Sequence, residues 1–381
     1  MPTDQDQEKP RTYLTSIMPT REMVDQYVSE NDAGEASCIP ELGWVPRGQR
    51  KGRDGVGDTA TFHAYETDRG RRVVNFPDRS SRIHTYGNSF THCDQVSDGE
   101  TWQEYLAAHL QEPIRNFGVG GWSVYQAFRR MQFVEQDDPA EYLILNVWSD
   151  DHYRNIDAWR SVRMGRIPRW TLPHLMVNVG AQTFEEMPNP CPTCVDHYKM
   201  CDPDWVWDRF KDDPTVRAYA AHRADVTPSD ELVSWVSEGF GFSDDAFGDL
   251  EPEARIEKMH REAALFATRC VIEMAEQFAN THERKLMVLL SFGSSHIRQS
   301  LLNQPLFDQT FLDWLSGRDT LVVDLRDAFR QDFARSSLDV DAYLTPFYNG
   351  HHTPRGNFFF AWGIKERVVD WLEPKPIPYG S

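Results

Sequence analysis

At 381 residues, 40% of them hydrophobic and 12% aromatic, the sequence has the composition of a globular chain long enough to bury a substantial core. Its net charge of −19 argues against nucleic acid or an anionic membrane as a partner, since both demand basic clusters, and no apolar window reaches the length of a transmembrane helix. The opening MPTDQDQEKPRTYL has no apolar run behind a basic start, so no secretory signal is read and the cytoplasm is the expected compartment.

Residues 1–40 are polar with weak helical patterning, and 41–80 mix Gly and charge with short β-like runs; 1–80 reads as an N-terminal extension with a hairpin. From Arg82 short apolar runs alternate with helical stretches: RIHTYG, ETWQEYLAAHL, PIRNFGV, SVYQAFRRMQFV, EYLILNVW. This alternation predicts βαβ units and a parallel sheet in a domain over 81–375. Between about 157 and 250 the apolar period is lost among Pro, Trp, Asp and Cys, and that length predicts an inserted subdomain rather than a bare loop. Helical periodicity returns at 251–280, followed by strand-like KLMVLLSF, a helix over 295–315, strand-like TLVVDL and a last helix beginning near Gly356. Five strands are therefore expected in the core.

Ser89, in TYGNSFTHC, follows the first of these strands, where an open parallel sheet gathers its ligands and catalytic groups. The flanks are not G-x-S-x-G, so no α/β-hydrolase elbow is present. Taken alone, Gly-Asn-Ser is read first as structural, a helix cap or an Asx turn, ahead of a nucleophile. Four segments in order change that reading. Gly87-Asn88-Ser89, the run NFGVGGWSVYQ, LILNVWSDDHYRN and YNGHHTPRGN resemble blocks I, II, III and V of the SGNH (GDSL-type) hydrolase family. The resemblance implies a three-layer α/β/α, flavodoxin-like fold with Ser89 as nucleophile, His351 as base and the Gly121 N–H as an oxyanion donor. Two positions depart from the pattern: Asp150 stands where the family has the Asn of the oxyanion hole, and Asn349 where it has the Asp that orients the histidine.

Acyl transfer needs a nucleophile, a base and donors aimed at the developing oxyanion. Ser89, His351 and the N–H groups of Ser89 and Gly121 would supply them. An ionised Asp150 would repel an oxyanion, whereas a protonated one, desolvated by Trp148, would donate to it. Asn349, or an acid such as Asp339 or Asp341, would orient His351. Asn88, Asp151 and Trp148 complete the set expected at the substrate. An alternative keeps the fold but uses Asp150 and Asp151 for a lyase, transferase or other hydrolytic reaction; another is a degenerate scaffold that binds a metabolite.

One cluster, CPTCVDHYKMC, places Cys191, Cys194, His197 and Cys201 at zinc-like spacing, which predicts a structural zinc; buried thiols or a local disulfide are the competing readings. No cofactor is expected for catalysis. Trp159, Trp170, Trp205 and Trp207 would either stack on sugar rings or fill the core. The expected partner is a small-molecule or carbohydrate ester, with a homo-oligomer left open.

Overall fold

The runs YLILNVW and KLMVLLS lack the alternation of a half-buried strand, as strands covered on both faces do. In the computed structural model they lie side by side at the centre of a five-stranded parallel sheet, buried almost from end to end. The structure describes residues 4–34, 36–66, 70–165, 171–223 and 228–380. The strands are β1 (Ile83–Tyr86), β2 (Arg115–Asn116), β3 (Tyr142–Trp148), β4 (Lys285–Ser291) and β5 (Leu321–Asp324), in the order β2-β1-β3-β4-β5. Register is continuous across the sheet: Ile83 and Lys285 both pair with Tyr142, and Met287 pairs with Leu321. All five expected strands form in one sheet.

Helices flank the sheet: α1 (Ser89–His92), α2 (Trp102–Leu110), α3 (Val124–Asp137), α4 (Ser294–Leu301), α5 (Leu325–Phe333) and α6 (Pro354–Trp371). Their starts are written in the sequence. Ser123 Oγ accepts from the Gln126 N–H while Gln126 Oε1 accepts from the Ser123 N–H, a reciprocal cap at the head of α3. Thr353 caps α6 through the Gly356 N–H, with Pro354 in the first turn where its missing N–H costs nothing. The helix expected over 295–315 is instead two, α4 and Gln309–Leu315, because the chain turns at Asn303 with φ 54° and Pro305 follows.

By contacts the chain divides into two units. One, residues 46–151 and 271–381, holds the sheet and the antiparallel pair Gln49–Gly52 with Thr61–Ala64, the hairpin expected near the N-terminus. The other, residues 1–45 and 152–270, holds helices Asp4–Ile17 and Arg21–Asp32, a hairpin of His174–Asn178 with Thr183–Met187, and three helices between Pro203 and Phe240. These last helices are 8, 10 and 11 residues long, too short for a sustained apolar period to emerge from sequence.

After β2 the chain passes hard against α1. A Cβ at Gly118 would lie 2.3 Å from the His92 nitrogen and 2.7 Å from the Thr91 carbonyl carbon, both backbone atoms. Gly118→Ala is expected to lower stability by about 3 kcal/mol, read from urea unfolding. Gly99→Ala, whose nearest new neighbour would be a Val74 methyl at 3.8 Å, should change it far less.

Candidate active site

The strand order 2-1-3-4-5 reverses its winding between β1 and β3, and in open parallel sheets ligands gather at the carboxyl ends of the strands beside such a switch point. Ser89 follows β1 there, and Trp148 closes β3 with Ser149, Asp150 and Asp151 behind it.

Ser89 opens a single turn of helix, whose carbonyls have too few intrahelical partners. Each finds a donor. The Ser89 carbonyl accepts from the N–H groups of Cys93 and Asp94, and that of Phe90 from Trp102 Nε1 at 3.2 Å. The Thr91 carbonyl accepts from Gln103 Nε2 and Asn116 Nδ2, each at 2.8 Å. Buried Arg71 donates to the His92 and Cys93 carbonyls and to Val96, and its charge is met by buried Asp98 at 2.9 Å. At the front end Asn88 Oδ1 accepts from the Phe90 N–H at 2.8 Å.

Block II clasps the same turn. Asn116 Oδ1 receives the Gly118 N–H, and the Val119 N–H reaches the Gly87 carbonyl at 3.1 Å. Gly121 then takes φ 84°, a conformation that favours glycine, which accounts for that residue independently of any oxyanion.

His351 sits in a tight hairpin in which Asn349 pairs with His351 and Tyr348 with His352 around Gly350 at φ 80°. The spacing to Gly356 has a steric cause: a Cβ there would lie 2.1 Å from the Phe347 carbonyl oxygen. Phe90 joins the pieces, its ring centroid 5.0 Å from that of His351, 5.0 Å from His352 and 4.7 Å from Trp148. His351, His352 and Trp148 are thus gathered around the side chain of the residue that follows Ser89.

Two expectations about His351 fail. Asn349 is exposed, Asp339 caps the Ala342 N–H, and Asp341 pairs with Arg298. The imidazole Nδ1 instead lies 3.1 Å from Gln95 Oε1. No motif marks Gln95, which reaches the ring only because the chain turns twice after α1, with φ 62° at Cys93 and 70° at Gln95.

Asn88 and Asp151, expected at the substrate, are fully buried and bonded to each other at 2.8 Å; the second Asp151 oxygen receives the Trp148 N–H at 3.0 Å. They tie the end of β1 to the end of β3. Asp150 and Trp148 are half-buried. His296, in α4, is held below the ordinary histidine range by burial, opposed by the negative charges of Asp308 and Asp150. Cys93, the nearest thiol to Ser89 in sequence, is pushed up to about 12 by burial and is inert as a nucleophile.

The zinc set is not assembled. Cys194 is bonded to Cys38, 156 residues away, which removes its thiolate, and among the described residues no group of three or more His, Cys, Asp or Glu is arranged for a metal. Cys191 is a buried thiol pushed up to about 11 by burial, Cys201 is half-exposed, and His197 Nδ1 donates to the Thr193 carbonyl. Trp159 is core, packed on Phe210; Trp205 and Trp207 are half-exposed, and Trp170 lies outside the described residues. Two cavities, of about 480 Å³ around Tyr219 and His260 and about 610 Å³ around Arg284 and Arg318, include neither Ser89 nor His351.

No protein-family model matches the chain, and neither does any curated protein.

His352, beneath the site, is buried with neither ring nitrogen hydrogen-bonded, and burial, helped by the charge of His351, pushes its pKa down to about 3. Its folded pKa lies below the unfolded value near 6.5, so the unfolded chain binds the extra proton. The stability contribution is whole above pH 6.5 and drains as pH falls toward 3. His352→Phe should fit among Phe90, Tyr348 and Phe360 and make the acid limb shallower by about 1.4 kcal/mol per pH unit at most. Urea midpoints measured across that range check it; an unchanged slope would mean His352 titrates normally in the fold.

Proposed function

We propose that the chain is a serine hydrolase of the SGNH type, cleaving an ester borne by a small molecule or a carbohydrate. The observation that carries the reading is the convergence at the β1/β3 switch point: the His351 ring stands 5.0 Å from the ring of Phe90, the residue after Ser89, while Val119, two residues before Gly121, bonds to the Gly87 carbonyl. The order 2-1-3-4-5 is that of flavodoxin-like doubly wound sheets, which supports the three-layer α/β/α reading.

In this mechanism His351 Nε2 takes the Ser89 proton as Oγ attacks the ester carbonyl carbon. The N–H groups of Ser89 and Gly121 hold the oxyanion; Asp150, whose negative charge acts on His296 in the free protein, adds a third donor only once it has taken up a proton. The imidazolium returns its proton to the departing alcohol. Water then attacks the acyl-serine with the same base, releasing the acid and restoring Ser89. The rival in which Asp150 and Asp151 act as a catalytic pair is weakened because Asp151 is fully buried and bonded to Asn88 and the Trp148 N–H.

The Cys38–Cys194 disulfide favours an oxidising compartment over the cytoplasm expected from the N-terminal sequence. No helix among the described residues is long and apolar enough to cross a membrane.

A fluorophosphonate probe followed by peptide mapping tests the assignment. The expected adduct is on Ser89, and Ser89→Ala should abolish both labelling and ester turnover, the latter by several orders of magnitude, while the far-ultraviolet circular dichroism is unchanged. Equal labelling of folded Ser89→Ala protein would refute the assignment.

A further inference from the structure

We propose that Gln95 is the positioning residue of His351, a carboxamide that sets the tautomer of the base in place of the carboxylate that position 349 lacks. The inference rests on the serine-hydrolase reading and goes beyond it, since nothing in the SGNH pattern assigns a role to this glutamine.

The orientation of the amide is fixed from both ends. One end faces the His351 backbone N–H at 2.9 Å, which can only donate, so that atom is the oxygen. The other faces the Asp54 carbonyl at 3.0 Å, which can only accept, so that atom is the NH₂. The oxygen so defined lies 3.1 Å from His351 Nδ1 and has no hydrogen to give. Nδ1 must therefore carry the ring proton. In the neutral imidazole Nε2 is then the unprotonated nitrogen, which is the tautomer a general base toward Ser89 requires.

The fit is built into the backbone on both sides. Gln95 stands at φ 70°, six positions after Ser89 and three after the end of α1, so nucleophile and positioning residue are separated by only one short stretch of chain. Gly350 faces it across the hairpin, and a Cβ there would come within 2.9 Å of Oε1. Glycine at 350 leaves room for the amide oxygen. Of the titratable neighbours, His352 is buried and neutral, and Asp94, next to Gln95, is engaged by His92 Nδ1.

A carboxamide orients the ring but brings no charge to the imidazolium, which separates two substitutions. Gln95→Leu removes the acceptor at similar volume. Gln95→Glu keeps an acceptor of the same length and adds a negative charge, at the expense of the bond to the Asp54 carbonyl.

Two readouts on the intact chain test this: the ¹⁵N chemical shifts of His351, which report the tautomer without any substrate, and the second-order rate of fluorophosphonate inactivation against pH. Wild type should show Nδ1–H. Gln95→Leu should lose that preference and react roughly 10²-fold more slowly. Gln95→Glu, which also serves if the leucine variant does not fold, should recover the rate and raise the pH midpoint by about one unit. An Nε2–H tautomer in wild type, or a Gln95→Leu variant inactivated at the wild-type rate and midpoint, would overturn the proposal. A wild-type protein with Nδ1–H that the probe does not label would overturn the hydrolase reading, and the catalytic meaning of Gln95 with it.

Discussion

A single turn of helix cannot hold itself together, because nucleation fixes several residues for one hydrogen bond. The four residues from Ser89 to His92 do so because groups from outside the turn satisfy its carbonyls: Trp102 and Gln103 from α2, Asn116 from β2 and Arg71 from the segment before β1. The position of Ser89 is therefore set largely by residues outside the motifs, Trp102, Gln103 and Arg71, together with Asn116 of the NFGVGG run. Arg71 carries the largest stake, since it is buried on Asp98 and losing that carboxylate would leave the guanidinium charge uncompensated; Asp98 itself is also met by Arg72 at 3.1 Å. The same constraint explains the glycines: Gly87 lies against Thr91 and the Asn146 carbonyl, and Gly118 against the backbone of Thr91 and His92. Both segments must come this close for the turn to be clasped.

The sheet was legible because its central strands are apolar along their whole length and its helices begin with readable caps. The glycines of the motifs were legible because the backbone needs them at fixed spacing, Gly121 for positive φ and Gly356 for its contact with the Phe347 carbonyl. Gln95 was not legible. Its role depends on two left-handed residues that turn the chain back toward a hairpin 256 residues away, and polar spacing does not encode such a contact. Asp151 and Asn88 were visible as residues but not as partners, so burial changed their meaning from substrate contacts to the tie between β1 and β3. The cysteine cluster misled for a similar reason: local spacing suggested a metal, and Cys38, far away in sequence, took Cys194 for a disulfide.

A common theme joins the departures around the site. Position 349 offers an exposed amide, and the group that meets the histidine is another amide, Gln95. The imidazolium formed during attack would then be oriented but less stabilised than beside a carboxylate.

The most direct test of this account is a crystal structure of the protein after reaction with a small fluorophosphonate. The account requires phosphorus on Ser89 Oγ, its free oxygen about 2.7–3.1 Å from the N–H groups of Ser89 and Gly121, and the His351 ring beside the adduct with Nδ1 still on Gln95 Oε1. An adduct on another residue, or a phosphoryl oxygen turned away from Gly121 with His351 out of reach, would contradict it.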